Sequence, residues 1–237
     1  MALILNIETA TRICSVALAK DGNVIAMQES ALGNNHSSSL TPFIKDVLYK
    51  TKTNIDCLDA VAVSMGPGSY TGLRIGVSTA KGICLSINKP LISISTLKAM
   101  AKCIAPLYDS AVLFCPMIDA RRMEVYSGIY DSQNNIIRDV QADIIDENSY
   151  TEYTNDRNMI IFGDGASKCK SVLNRKGIIY DDNFLISASC LANLAEDKYE
   201  IQEFENLAYF EPYYLKDFIA TIPKNKIINP SQYNNTY

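Results

Sequence analysis

Short apolar runs broken by turn residues open the chain, and apolar positions at helical spacing follow them. Residues 3–7 (LILNI), 14–20 (CSVALAK) and 24–30 (VIAMQES) read as three strands, the last two joined by the hairpin signal Asp21-Gly22. Leu40, Phe43, Ile44, Val47 and Leu48 then recur at helical spacing, which predicts a helix to about Lys52, with Pro42 tolerable only near its first turn. The strand AVAVSM (60–65), a glycine loop, a helix over 72–87 and the strand PLISI (90–94) come next. Ser95 or Thr96 caps a helix through about Ile104. The order is βββαβαβα.

The same unit begins again after Ala111. VLFCPMID (112–119), EVYSGIYD (124–131) and IIRDVQAD (136–143) form a second meander. NIETATR (6–12) and MIDARRM (117–123) each end a strand with Ile-acid, pass through a polar turn containing arginine and enter the next strand. SMGPGSYTG (64–72) and IFGDGASKC (161–169) each give a strand, Gly-x-Gly, a hydroxyl residue and an expected helix. Two correspondences in the same order imply duplication. Residues 1–105 would form one lobe and 106–218 a second, reduced one, a late helix packing back on the first. The polar tail 219–237 is expected to be poorly ordered. Glu8 and Asp119 would leave equivalent strand ends and face one interlobe cleft, where ligands usually bind.

The stretch MGPGSYTGLRIGVSTAKG (65–82) has two explanations. It lacks the Walker A pattern, and Thr71 stands where the third glycine of a dinucleotide fingerprint belongs. What remains is a strand, Gly66-x-Gly68 and a helix that Ser69 or Thr71 can cap, an end that can hold an anion. Alternatively Gly72, Gly76, Ser78, Ala80 and Gly82 let another helix approach closely. Interior helix glycines cost roughly 0.5–1 kcal/mol each, and repeating that cost points to a tight contact. Arg74 opposes the helix dipole, so it is expected to pair with Glu8 or Asp119 or to meet an anionic ligand. Asp119 and Glu124 could work as an acid–base pair or form a polar hairpin rim, and Arg121 and Arg122 share those alternatives.

Composition narrows the classes. The 237 residues are 48% apolar and 20% charged, enough for a large core. No run approaches the roughly 18 apolar residues of a membrane span, and MALILNIETATR has neither a basic n-region nor a cleavage-type site, so a cytosolic chain is expected. Seven cysteines are scattered without a Cys-x-x-Cys spacing and are expected to be reduced and mostly buried. The net charge of −4 gives no bulk field for a polyanion. His36, within HSSSL, is the only histidine, which excludes His-rich metal sites and serves a serine triad poorly; HSSSL reads as a helix cap.

ILNIETATRICSVAL, HSSSLTPFI, GPGSYTGLRIGVSTAKG, ISTLKAMA, DARRMEVY, FGDGA and EPYYLKDF, in this order, resemble the bacterial TsaB (YeaZ) family over about residues 3–218. GPGSYTGLRIG is the most specific block. The resemblance implies an α/β actin/Hsp70-type ATPase (ASKHA) fold of two ribonuclease-H-like lobes. It implies a scaffold, without a catalytic centre of its own, for making threonylcarbamoyladenosine in tRNA. The partners would be a TsaD-like transferase and a TsaE-like ATPase, with tRNA contacted indirectly and a homodimer formed in isolation. Glu8, Thr9, Gly66, Gly68, Ser69, Thr71 and Asp119 would mark a vestigial phosphate site. His36, Leu40, Gly72, Arg74, Gly76, Ser78, Thr79 and Lys81 would mark the partner face. No metal or cofactor is expected on this chain alone; ATP and magnesium would belong, if anywhere, to the interface of the complex. Related sequences commonly have Asp-Thr-Ser where this one has Glu8-Thr9-Ala10, and His36 stands alone where the transferase has a His-x3-His pair. A stand-alone ATPase or phosphotransferase of the same fold is the alternative. A glycopeptidase would need a metal or triad that the sequence does not supply.

Overall fold

The computed structural model describes residues 2–30 and 36–216. Strands β1 (Leu3–Glu8), β2 (Cys14–Lys20) and β3 (Asn23–Ser30) form an antiparallel meander. Its β2–β3 hairpin puts Asp21 and Gly22 at φ of 52° and 72°, the left-handed backbone that tight hairpins require. Strands β4 (Ala60–Gly66) and β5 (Leu91–Ser95) add in parallel, giving the sheet order β3-β2-β1-β4-β5. Helices α1 (His36–Thr51) and α2 (Tyr70–Ile87) cover one face of this sheet. Leu40, Ile44, Val47, Val77, Ala80 and Cys84 meet Leu5, Ile7, Val16 and Val63 there. The alternate residues Ile4, Ala60, Ala62 and Ile92 point the other way, as a period of two dictates.

The second sheet repeats the plan. Strands β6 (Leu113–Asp119), β7 (Glu124–Tyr130) and β8 (Ile136–Ile144) make its meander, and β9 (Met159–Phe162) and β10 (Ile178–Asp181) add in parallel. Its order, β8-β7-β6-β9-β10, matches that of the first sheet strand for strand. Its outer helices do not match. The helix expected after Gly165 is a single 3-10 turn, Ser167–Cys169, and the counterpart of α1 is the one-turn α4 (Thr151–Thr154).

One shared core joins the sheets. Helix α3 (Thr96–Ile104) packs against β4 and β5 on one side and β6 and β7 on the other. Helix α5 (Ala192–Glu200) and the 3-10 turn before it return to β1 and β5. Leu97, Met100 and Ile104 meet Phe114, Ile118, Phe162 and Leu191 in this core. The cysteine expectation needs one correction: Cys103 and Cys190 form a disulfide, their Cα atoms brought 5.1 Å apart where α3 meets the turn before α5. Among the described residues no helix is long and apolar enough to cross a membrane. The tail 219–237 lies outside the described residues.

Candidate functional site

After β1 the chain turns through Thr9 and Ala10 directly beneath the start of α2. Thr9 Oγ1 donates to the Gly72 carbonyl at 2.9 Å, and the Ser69 N–H donates to the Ala10 carbonyl at 2.6 Å. A Cβ on Gly68 would lie 2.4 Å from the Ala10 oxygen, one on Gly72 2.1 Å from the Thr9 oxygen, and one on Gly76 2.2 Å from Thr9 Oγ1. Loop and helix therefore approach more closely than any side chain permits. Gly66, at φ 111°, faces the Tyr213 carbonyl in the same way. Ser69 Oγ caps α2 by accepting the Gly72 N–H at 3.2 Å, while Thr71 is exposed. The amides of Ser69 and Gly72 are thus already bonded. Carbonyl oxygens, which repel an anion, face Gly68 and Gly72. The phosphates of a nucleotide do not fit this junction as it stands.

Glu8 does not open onto a cleft. It is fully buried, its Oε1 accepts the Ala10 N–H at 2.5 Å, and among the described residues its Oε2 has no hydrogen-bond partner. Burial pushes its carboxyl up to about 7, against the Ala10 amide, which favours the charged form. Asp119, at the matching strand end, is half-exposed and ion-paired with Lys168. Burial works to raise its pKa, but the Lys168 ammonium and the Arg121 amide prevail and hold it below the ordinary value. The two carboxylates are equivalent in topology and opposite in environment.

The interlobe space lies beside them. Thr11, Arg12 and Ile13 from one lobe and Gly163, Asp164 and Phe184 from the other line a cavity of about 270 Å³. Asp164 Oδ1 accepts the Asp119 N–H at 3.0 Å; burial, then the neighbouring Asp119 charge, raises its pKa. The segment after α5 crosses α2: Tyr213 N–H donates to the Met65 carbonyl at 2.7 Å, and Lys216 pairs with Glu124 in the second lobe. Arg12, Asp164, Lys168 and this crossing segment escaped the sequence reading as site residues. The only signals for them were the arginine in NIETATR, the repeat of Gly-x-Gly, and EPYYLKDF.

The expected partner-face residues divide. His36 and Leu40 are buried, His36 Nε2 lying 2.9 Å from the Thr11 carbonyl. Gly72 and Gly76 face Thr9 within the chain, because the close approach they permit is internal. The Lys81 ammonium donates to the Phe210 carbonyl at 2.9 Å. All five thus make contacts within the chain. Arg74, expected against Glu8 or Asp119, instead lies over the Tyr70 ring, 5.1 Å from its centre, and Tyr70 stacks on Tyr214. Thr79 is half-buried. Thr71, Arg74 and Ser78 remain on the outward side of α2, continued by Gly82, whose missing side chain would meet nothing within 4 Å, and by Leu85, 75% exposed.

Two lobes of one strand order around a shared core define the actin/Hsp70-like ATPase (ASKHA) class. A dehydratase activator from Clostridium difficile with bound ADPNP shares the fold at a TM-score of 0.51 and 11% identity over 86% of this chain and 98% of that one. A family model described as TsaD, tRNA N6-adenosine threonylcarbamoyltransferase, matches residues 25–224. The tRNA threonylcarbamoyladenosine biosynthesis protein TsaB of Escherichia coli is 40% identical over 132 residues, 56% of each chain. The structure of YeaZ from Pseudomonas aeruginosa superposes with a TM-score of 0.77 at 25% identity, covering 91% of this chain and 100% of that one. The chain belongs to the family that the TsaD model describes, and the curated relatives it matches at 33–40% identity include proteins named TsaB. Its matches to the curated relatives span little more than half of their length.

Proposed function

We propose that the chain is a noncatalytic, cytoplasmic scaffold subunit in the synthesis of N6-threonylcarbamoyladenosine in tRNA. It would pair with a TsaD-type transferase subunit and present a platform to a TsaE-type ATPase. The names of its relatives support the pathway. One observation carries the noncatalytic reading: Thr9 and Ala10 pack directly onto Gly68, Gly72 and Gly76, so the chain's own backbone fills the place of a phosphate cradle. The boundary between lobes falls near residue 105, where α3 ends.

The pairing face is the outward side of α2, from Thr71 through Arg74, Ser78 and Gly82 to Leu85, a stripe about 21 Å long at 1.5 Å per residue. Small residues at its centre admit a close helix, and an exposed leucine ends it. Without the transferase subunit, the same face would join two copies of this chain.

Complementation of a bacterial strain depleted of its TsaB protein tests the reading, with the modified nucleoside measured by mass spectrometry. Restoration to the wild-type level is expected, and its failure would count against the assignment. Calorimetry with Mg-ATP should show no tight binding by the isolated chain. Tight binding with turnover would instead favour a stand-alone ATPase.

A further inference from the structure

We propose that Arg12, on the loop after β1, and Arg121 and Arg122, on the hairpin after β6, form a site for the phosphate backbone of RNA. The inference rests on the functional reading above and departs from the expectation, drawn from net charge, that the chain touches RNA only through a partner.

The hairpin between β6 and β7 carries it. Arg121 and Arg122 have φ of 70° and 48°, a left-handed conformation in which a side chain crowds its own backbone. The hairpins β2–β3 and β7–β8 fill such positions with Asp21, Gly22 and Asn134, which tolerate them. Lys52, Tyr150 and Gln202 also take this backbone, but only here does it set two successive, exposed arginines at a hairpin tip among the described residues. Both are exposed, as is Arg12 on the facing loop.

The nearby carboxylates are already engaged. Asp119 pairs with Lys168, Glu124 pairs with Lys216, and Asp164 accepts the Asp119 amide. Among the described residues none of the three arginines has an ion pair. The loops are linked through this same group: the Arg121 N–H donates to Asp119 Oδ1 at 2.9 Å, and Arg12 lines the cavity with Asp164. The Arg12 charge acts on Asp119 and Asp164 from its own loop, and Arg12, Arg121, Arg122, Lys168 and Lys216 give these two loops and the residues paired with them five cations against three carboxylates, a local positive excess on a chain whose net charge is −4.

A guanidinium binds phosphate oxygens through paired N–H donors. A nucleoside triphosphate would supply the same oxygens. Of the three, however, only Arg12 lines the interlobe cavity, which is otherwise walled largely by Ile13, Met100, Phe184, Leu185 and Ile186. Cations divided between two loops, two of them outside the cavity, suit a backbone that passes from one loop to the other.

Fluorescence anisotropy with a labelled tRNA transcript tests the site on the full chain, comparing wild type with Arg12→Gln/Arg121→Asn/Arg122→Asn. Asparagine accepts the left-handed backbone, so the variant should fold and should still co-purify with the transferase subunit. Its RNA affinity should fall about tenfold or more, and the slope of log K against log salt concentration should shrink by about 2, since each lost contact removes about 0.7–0.9. Unchanged affinity and slope would overturn the site. So would ATP binding that needs these arginines while RNA binding does not, which would assign the phosphates to a nucleotide. Failure of the wild-type chain to pair with the transferase subunit would strike the functional reading instead.

Discussion

Thr9 and Gly76 contend for one space: a Cβ on residue 76 would come within 2.2 Å of Thr9 Oγ1, and Thr9 is fully buried with that hydroxyl bonded to Gly72. The strand end of β1 is keyed into α2 by this contact, which fixes the helix whose outward side we assign to pairing.

Gly76→Ala should therefore destabilise the chain by about 1–3 kcal/mol, although alanine is the better helix former by about 1 kcal/mol. Thr9→Ala alone should lose a hydrogen bond worth about 1 kcal/mol. Combining them should recover stability relative to Gly76→Ala, because the remaining Thr9 Cβ lies 3.5 Å from the new carbon. Guanidinium denaturation of the four proteins measures the coupling. Simple additivity would show that the two residues do not compete.

Glu8 makes stability depend on pH. Its carboxyl is raised from 4.5 to about 7, so the folded chain keeps a proton that the unfolded chain gives up. Stability then falls as pH rises through the window from 4.5 to about 7, by about 2–3 kcal/mol between pH 5 and 8. Glu8→Gln keeps an oxygen for the Ala10 amide and has nothing to ionise. Denaturation curves at the two pH values should show the variant more stable than wild type at pH 8 and nearly equal to it at pH 5. A wild-type chain no less stable at pH 8 than the variant would remove the buried-acid assignment.

The strands and α1 to α3 were legible because their apolar spacing is local, and the duplication was legible because landmark order survives sequence drift. The second lobe lost its helices where the pattern lost its apolar positions: after Gly165 the run ASKCKSVLNRKG turns once, and Lys168 folds back to Asp119. Glycine spacing in α2 announced a close approach but not what approaches. The answer, Thr9, comes from 67 residues upstream of Gly76 and is set by the sheet. Nor could a carboxylate at a strand end reveal whether it meets water, as Asp119 does, or is sealed, as Glu8 is. Net charge averages over the surface and hides the exposed arginines of the β1–β2 loop and the β6–β7 hairpin.

Gly82 offers a cleaner probe of the pairing face than Gly76 does. Nothing lies within 4 Å of the side chain it lacks, so Gly82→Leu should fold with unchanged or slightly higher stability, leucine being the better helix former by under about 1 kcal/mol. Bulk within the stripe should nevertheless weaken association with the transferase subunit tenfold or more. Co-purification and sedimentation velocity check this. Retained pairing would move the interface off α2.

Cys103 and Cys190 join the end of α3 to the 3-10 turn before α5, 87 residues apart in sequence. Closing so long a loop restricts the unfolded chain, and bonds of this kind typically contribute about 2–4 kcal/mol. Cys103 is exposed, so a reductant in solution can reach the bond, whereas Cys190 is buried in the core between the sheets. Adding a reductant should lower the unfolding midpoint of the wild-type chain. Cys103→Ser should unfold at that lower midpoint with or without reductant. Alkylation of the unreduced, denatured protein followed by peptide mass spectrometry should label Cys14, Cys57, Cys84, Cys115 and Cys169 and leave Cys103 and Cys190 linked. Seven labelled thiols, with a midpoint insensitive to reductant, would show the two sulfurs to be neighbours without a bond.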